Sequence, residues 1–164
     1  MWLFSQEHSS WTFRILKISD IWNSFPSWIT CYPDIYRRKK RWIEAGAIFF
    51  HVPKTAGVSV SKALYGKPLG HFYAKNVRMA MPSTFASVFT FGVSRHPVNR
   101  LYSAYRFCRA GCTGEMGIRN PNQYQSKEFE TFESFVSSWL VFQDLRKVDG
   151  VFRPQHFYLC KNTK

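Results

Sequence analysis

The sequence predicts an α/β domain built on a parallel sheet flanked by helices, and two units of strand followed by helix indicate it. The first unit begins with the apolar run 47–52, which is typical of a strand buried on both faces, and continues after Pro53 as a helix over 58–65. The second unit is a strand over 88–93 and a helix over 97–109, whose first position is a proline, a residue favoured there. Such alternation is typical of parallel sheets, whose ligands bind beyond the carboxyl ends of the strands.

The chain of 164 residues has the length of one compact domain. Residues 1–44 are predicted to be an irregular leader, because Pro26 and Pro33 interrupt it and a basic run occupies 37–41. We interpret this leader as a solvated arm and place the folded domain at 45–164. The first residues lack the pattern of a signal peptide, and no stretch has the length of a membrane span, so we expect a soluble, cytoplasmic chain.

The charge of the chain is unevenly distributed. Lys and Arg number 23 against 10 Asp and Glu, which gives a formal net charge of +13. Between Ala45 and Gly114 there is no Asp or Glu, whereas nine Lys and Arg residues fall in that segment. Because such a segment attracts negative charge, we expect the ligand of the domain to be an anion.

One more helix is predicted after a loop over 111–126. Its apolar residues recur at spacings of three and four, and they are Phe129, Phe132, Phe135, Val136, Trp139 and Leu140. Such an aromatic stripe is usually core packing, so we assign no ligand to it. The four cysteines form no CxxC pair, and we expect free thiols and no metal site.

The loop after the first predicted strand, VPKTAGVS at 52–59, has the composition of an anion-binding loop. Gly57 lets the backbone approach a ligand closely, and the N–H groups at the start of the helix carry positive potential. It is not a Walker loop, because its lysine precedes the glycine. The residues expected to surround a phosphate or sulfate are Pro53, Lys54, Thr55, Ala56, Gly57, Val58 and Ser59.

A second anion loop, SRHPVNRLYSAY at 94–105, follows the second predicted strand. The residues expected to bind there are Arg95, Asn99, Arg100 and Ser103. With a helix beginning at Pro97, the last three fall on one face, and the first lies just before the helix. Arginine can grip a phosphate bidentately. Together the two loops predict a ligand with two separated phosphate-type groups.

The strings HVPKTAGVSV and RHPVNRLYSAY resemble the 5′-phosphosulfate loop and the 3′-phosphate motif of one sulfotransferase family. These enzymes use 3′-phosphoadenosine 5′-phosphosulfate (PAPS) and include heparan, dermatan and chondroitin sulfotransferases and bacterial relatives. The string VFRPQ at 151–155 resembles a downstream string of the family, so the likeness spans about residues 48–158. It implies a P-loop-NTPase-like parallel sheet flanked by helices and transfer of a sulfuryl group from PAPS to a hydroxyl of an acceptor such as a glycan. Neither a nucleic acid partner nor a metal is expected.

The resemblance also implies roles for particular residues. Lys54 would contact the transferring sulfuryl group, and Arg95 and Ser103 would hold the 3′-phosphate. Val58 departs from the family pattern, since many members have Thr or Ser there. The candidate acceptor contacts are Arg153, Gln155 and His156.

Family members usually continue past the RPQ string into another strand and loop, whereas this chain ends at Lys164. We therefore expect a domain that is incomplete at its C-terminus. The resemblance implies the cytoplasm as the compartment of a bacterial protein and the Golgi lumen as that of a fragment of a eukaryotic enzyme.

Sulfuryl transfer to a hydroxyl also needs a general base. Since 45–114 holds no carboxylate, a base within the core is a histidine, unless Glu115 or a later acid reaches in. His51 is expected to be packed within its strand, and His96 belongs to the 3′-phosphate motif. That leaves His71, in a Gly-His pair that resembles the base position of heparan-type members, with nearby positive charge keeping it neutral. A loop histidine bonded to the backbone is the alternative that stays open.

Three other interpretations stay open. A P-loop kinase or NTPase also needs a phosphate loop on a parallel sheet, but it requires acidic groups around Mg²⁺ that the motif region lacks. A non-enzymatic polyanion-binding module would account for the net charge and the aromatic residues but would not predict two ordered loops after strands. An inactive, truncated sulfotransferase ranks between the active enzyme and the polyanion-binding module.

Overall fold

The structure is a computed structural model that describes residues 30–112, 118 and 121–160, together with the backbone of two short segments near the N-terminus. These segments are the strands β1 (Gln6–Glu7) and β2 (Ser10–Trp11), which pair antiparallel. Glu115 and most of the predicted leader lie outside the described residues.

A small two-stranded parallel sheet flanked by helices forms the centre of the fold, so the predicted mixture of strands and helices is confirmed at that level. After β2 the elements are α1 (Tyr32–Glu44), β3 (Ala47–Phe50), α2 (Gly57–Tyr65), α3 (Ala74–Ala80), α4 (Pro82–Ser87), β4 (Phe89–Gly92), α5 (Pro97–Arg109), α6 (Phe132–Ser134) and α7 (His156–Leu159). Short 3₁₀ turns occupy Pro121–Gln125, Lys127–Phe129 and Leu140–Phe142, and a π-helical turn occupies Phe135–Trp139.

The sheet brings the ends of its two strands together. β3 pairs parallel with β4, and the register places Phe50 opposite Gly92 at the carboxyl ends. All four residues of β3 are buried, as the apolar run predicts. The loops that follow the two strands therefore leave the same edge of the sheet side by side.

A tyrosine hydroxyl occupies the other edge of β3. Tyr65 Oη accepts a hydrogen bond from the N–H of Phe49 at 2.8 Å and donates one to the carbonyl of Ala47 at 3.1 Å. β4 is more open, and the side chain of Phe89 is 69% exposed. On the edge away from β4, backbone groups of β3 are thus bonded by the Tyr65 side chain.

The two predicted helices next to the anion loops are present. α5 has the predicted bounds, with a proline in its first turn. α2 begins one residue earlier than predicted and ends before Gly66, whose φ of +73° is the left-handed conformation that favours glycine after a helix.

The structure differs from the predicted irregular leader over residues 32–44, which form α1. Pro33 lies in the first turn of α1, where its missing N–H has no intrahelical partner to lose. Ile35 and Trp42 lie seven residues apart on one face and are 0% and 1% exposed. They belong to a core cluster with Ile48, Phe50, Leu69, Ala74, Val77 and Met81.

The predicted aromatic stripe packs in a second core cluster, which confirms its assignment to the core. The buried members of this cluster are Ala104, Tyr105, Cys108, Tyr124, Phe129, Phe135, Val151 and Phe152. The stripe is not one regular helix but a series of α6, the π-helical turn and a 3₁₀ turn. The wide π turn lets the rings of Phe135 and Trp139 stack at 5.5 Å while both contact Phe152, so packing overrides the regular helical pattern.

All four cysteines are free thiols, as predicted. Among the residues that the structure describes, no helix is both long and apolar enough to span a bilayer.

Candidate functional site

The two predicted anion loops lie next to each other. Lys54 follows β3, Arg95 follows β4, and Arg95 Nη1 lies 3.5 Å from the carbonyl oxygen of Lys54. The Arg95 side chain is exposed, and Lys54 is partly buried beside it. A single ligand at this edge of the sheet can therefore contact both loops.

The first loop has a strained backbone. Lys54 and Ala56 have φ values of +68° and +61°, in the left-handed region that costs a residue with a Cβ about 1 kcal/mol or more. Between them Thr55 is buried, and its hydroxyl donates to the carbonyl of Val52 at 2.9 Å. The predicted donor on Thr55 is thus used to shape the loop.

The same bend leaves backbone donors open at the start of α2. Among the described residues, Ser59 is the first one after Val52 whose N–H reaches a protein acceptor, the carbonyl of Ala56 at 3.1 Å. The N–H groups of residues 54–58 precede it, and the start of a helix adds positive potential. The start of α2 can therefore donate to an oxyanion.

Gly57 is required for a reason that the sequence did not indicate. A Cβ at this position would lie 1.9 Å from Cδ2 of His51, far inside contact distance. The start of α2 therefore rests directly on the imidazole of the preceding strand end.

The Lys54 side chain is held against α5. Its Nζ lies 4.3 Å from the centre of the Phe107 ring, a cation–π contact. Burial lowers the pKa of Lys54, and the positive charge of Arg95 lowers it further. Two cations are thus kept close together, and an anion bound between them would relieve their repulsion.

The backbone of Arg95 is fixed by Gln155. The N–H of Arg95 donates to Oε1 of Gln155 at 2.9 Å, and Nε2 of Gln155 donates to the Arg95 carbonyl at 2.8 Å. Gln155 is predicted to contact the acceptor. Its side-chain amide makes two hydrogen bonds to the backbone of the second anion loop, in the way that the backbone of an adjacent β-strand would.

Arg100 is buried and cross-links three segments. Its Nη1 donates to the carbonyls of Val151 at 3.0 Å and Pro53 at 3.4 Å, and its Nη2 donates to the carbonyl of Arg153 at 2.8 Å. The side chain is 5% exposed, so the geometry gives no support to its predicted contact with a ligand.

Asn99, Arg100 and Ser103, which are predicted to share one face, have different surroundings in the structure. Arg100 points inward, Asn99 is exposed and Ser103 is partly buried. Residues 99 and 100 point about 100° apart around the helix axis. Here the protein interior takes Arg100, and Asn99 faces solvent.

Two further predicted acceptor contacts have different surroundings. Arg153 is partly buried and donates from Nε to the carbonyl of Val148 at 2.8 Å and from Nη1 to the Tyr73 hydroxyl. His156 is exposed, and its ring packs edge-on to Phe157 at 4.6 Å. Arg153 is thus engaged within the protein, whereas the imidazole of His156 is open to solvent.

The rings of the two histidines near the first loop are in contact, tilted by 39° to each other. The rings of His51 and His71 lie 4.1 Å apart, and Nδ1 of His71 lies 2.8 Å from the carbonyl oxygen of His51. Because a carbonyl only accepts, this nitrogen of His71 carries the proton and Nε2 is left with its lone pair. His71 is therefore bonded to the backbone and keeps one nitrogen as a proton acceptor.

Burial keeps both imidazoles neutral. It lowers the pKa of His71, although the bond to the His51 carbonyl opposes this, and it lowers the pKa of His51 to about 4, with the neighbouring His71 as a second cause. The sequence predicts a neutral His71 from nearby positive charge, whereas the structure attributes it first to burial.

Tyr158 is a residue near this pair that the sequence analysis did not single out. Its ring lies 6.4 Å from His71 and 4.9 Å from Tyr73, and burial raises its pKa. Its place two residues after the RPQH string was the only signal that could have drawn attention to it.

No protein-family model matches the chain, and neither a curated protein nor a solved structure is significantly similar to it.

Proposed function

We propose that the chain is a sulfotransferase with a P-loop-NTPase-like domain that binds PAPS across the two loops and sulfates a hydroxyl of a glycan. The observation that carries the proposal is the position of Arg95 beside the strained loop around Lys54, at the common end of two parallel strands. A ligand with two separated phosphate-type groups requires such a pair of neighbouring anion sites. If the loops lay on different faces, this function would be excluded.

The residues present fit the two charged ends of PAPS. The open N–H groups of residues 54–58 and the ammonium of Lys54 suit the phosphosulfate end, and Arg95 with the hydroxyl of Ser103 suits the 3′-phosphate. When bound, PAPS supplies the sulfuryl group and a phosphate leaving group. A kinase would need carboxylates around Mg²⁺ in these loops, and 45–114 contains none.

Lys54 is the residue proposed to stabilise negative charge on the leaving side. Its ammonium is preorganised by the contact with Phe107, and it is partly shielded from water. Removing one preorganised donor from a comparable oxyanion site costs about 2.7–4 kcal/mol in barrier height.

His71 is proposed as the general base that accepts the proton of the acceptor hydroxyl at Nε2. The bond from Nδ1 to the His51 carbonyl fixes the tautomer that this role needs. The lowered pKa keeps the ring unprotonated at neutral pH. His71 is only partly buried, which leaves it within reach of an acceptor.

The proposal is tested by binding and transfer in one series of variants. The wild-type chain should bind adenosine 3′,5′-bisphosphate saturably in a calorimetric titration and transfer labelled sulfate from PAPS to a member of a glycan panel. Arg95→Gln should weaken the binding about tenfold or more, because a charge-assisted hydrogen bond contributes about 1.5–3 kcal/mol. His71→Asn should keep the binding and reduce transfer by about 10²-fold to 10⁴-fold.

Arg106→Gln is the matched control, since Arg106 lies exposed on α5 and makes no ion pair among the described residues. It should bind like the wild type. Absence of saturable binding by the wild type, or equal weakening by Arg95→Gln and Arg106→Gln, would contradict the proposal. Binding without transfer to any glycan would favour the inactive interpretation.

A further inference from the structure

A second cationic cavity lies apart from the two loops. Its volume is about 360 Å³, and it is lined by Arg37, Arg38, Arg41, Lys67, Pro68 and Leu69. We propose that this cavity binds a phosphate or sulfate group, either as the free ion or on a small ester. It shares no residue with the proposed PAPS loops, and the inference does not rest on the proposed function.

The fold builds this cavity from two separate segments. The basic run that the sequence predicts as part of an irregular arm lies on α1, and residues 37, 38 and 41 of this helix line the cavity. The opposite wall, residues 67–69, follows the end of α2 at Gly66. Lys67 therefore lies across the cavity from the arginines of α1, which are distant from it in sequence. The positive charges line a cavity and are not spread along one exposed face of a helix.

Arg38 is already held in place for an anion. Its Nε donates to the Leu69 carbonyl at 3.1 Å, and its Nη1 lies 3.1 Å from both the carbonyl and Oδ1 of Asp34. The guanidinium carbon also lies 5.5 Å from the centre of the Phe72 ring. A guanidinium fixed in this way loses little conformational entropy when a ligand binds.

The lining has an excess of positive charge. Four cationic side chains face one carboxylate, that of Asp34, which pairs with Arg37 at 2.6 Å and with Arg38 at 3.1 Å, so three positive charges remain. Within the described ranges, Arg41 and Lys67 make no ion pair. Planar guanidinium groups match the oxygens of phosphate and sulfate, so a tetrahedral oxyanion is the ligand that this lining suits.

The size of the cavity allows more than a bare ion. Small-molecule sites have volumes of about 300–1,000 Å³, and this one lies at the lower end of that range. Pro68 and Leu69 supply backbone and apolar surface next to the cations. In a sugar phosphate, the sugar would contact this wall while the phosphate group binds the cations. A free ion would contact the cations alone.

The test is an NMR titration of the full ¹⁵N-labelled chain at constant ionic strength. Inorganic phosphate, inorganic sulfate and glucose 6-phosphate are the probes, and glucose is the uncharged comparison. The Leu69 amide and the Arg38 Nε–H should shift saturably with at least one anionic probe and not with glucose. Tighter binding of glucose 6-phosphate than of phosphate assigns the cavity to an ester, and equal binding assigns it to the free ion.

Arg41→Gln combined with Lys67→Gln should weaken this binding at least tenfold. Both side chains are exposed and form no described hydrogen bond, so the variant should keep the wild-type signals elsewhere, including the Gly57 amide. Lys75→Gln combined with Arg78→Gln, two exposed changes on α3, removes the same charge away from the cavity and should leave binding within twofold. Equal weakening by both double variants, or shifts that never saturate, would overturn the proposal. The Gly57 amide signal reports the binding of adenosine 3′,5′-bisphosphate at the two loops. Loss of binding at the cavity can therefore be distinguished from loss of binding at the loops.

Discussion

At the scale of single residues, His51 links the first strand to the first anion loop. The residue is 4% exposed, and its ring lies against the start of α2 at Gly57 and contacts the ring of His71. Burial of an imidazole disfavours its charged form, which lowers the pKa of His51 from about 6.5 to about 4. Protonation of this ring therefore destabilises the folded chain.

This burial makes stability depend on pH in a predictable direction. Between pH 6.5 and pH 4 the unfolded chain binds a proton at His51 that the folded chain excludes, so stability falls as the pH falls through this window. The loss approaches about 3 kcal/mol, since one unit of pKa corresponds to about 1.4 kcal/mol. His51→Phe keeps a ring of similar shape and should reduce this acid sensitivity, measured as the free energy of unfolding in urea at pH 7 and pH 5.

His156→Phe serves as the comparison, because His156 is exposed and should leave the pH dependence unchanged. Some sensitivity should persist in His51→Phe, since burial also lowers the pKa of His71. An acid sensitivity of His51→Phe equal to that of the wild type would show that His51 is not buried in the neutral form.

At the scale of elements, the segment 150–159 organises the site more than its composition suggests. Gln155 pairs with the backbone of Arg95, and the Tyr158 hydroxyl donates to the carbonyl of Gly150 at 2.8 Å. A Cβ on Gly92 would lie 2.2 Å from Cδ2 of Leu159, so a side chain at the end of β4 would displace this leucine of α7. The third segment of the family resemblance thus supports the second anion loop.

Gln155→Leu should free the backbone of Arg95. The change removes two hydrogen bonds that together contribute about 1–3 kcal/mol, so the protection of the Arg95 amide against hydrogen exchange should fall about fivefold or more. Gln123→Leu is a suitable control, since Gln123 is exposed and makes one long contact of 3.4 Å with Asp149. Unchanged protection of Arg95 in Gln155→Leu would mean that another group holds the loop.

At the scale of the whole molecule, the described residues form two core clusters, and Arg100 bonds segments that are distant in sequence. The first cluster surrounds α1, β3 and α3, and the second surrounds α5 and the aromatic stripe. Arg100 lies on α5 and donates to carbonyls in the first loop and in the segment after residue 150. The Arg100 guanidinium therefore bonds both the first anion loop and the segment after residue 150, and both segments border the candidate site.

Arg100→Met should lower the free energy of unfolding by about 3 kcal/mol or more. Methionine keeps much of the side-chain volume but leaves three carbonyls without their donor, and each unsatisfied buried group costs about 1–3 kcal/mol. Urea denaturation measures the loss, and Arg106→Met, an exposed change on the same helix, should stay within about 0.5 kcal/mol of the wild type. Similar stability of the two variants would contradict the role of Arg100 as a cross-link.

Local patterns were sufficient for the elements that border the site. The proline at position 97 and Gly66 marked where helices begin and end, and the apolar run 47–52 marked the buried strand, because these signals depend on backbone conformation and local periodicity. The predicted irregular leader is wrong over 32–44, because a proline breaks a helix in its interior but not in its first turn, where Pro33 lies. Whether Pro33 interrupts a helix or begins one depends on the core that Ile35 and Trp42 reach.

What the sequence determined by itself is the two strand–helix units that border the candidate site, the positive charge of the central segment and the presence of two loops with anion-binding composition. Only the tertiary structure decided how each polar side chain is used: Arg100 and Gln155 bond to backbone, Thr55 shapes its loop, and the basic run of α1 meets Lys67 across a cavity. The reason is physical. Secondary structure follows from neighbours along the chain, whereas the partner of a long polar side chain is set by which distant segments the core brings within hydrogen-bond distance.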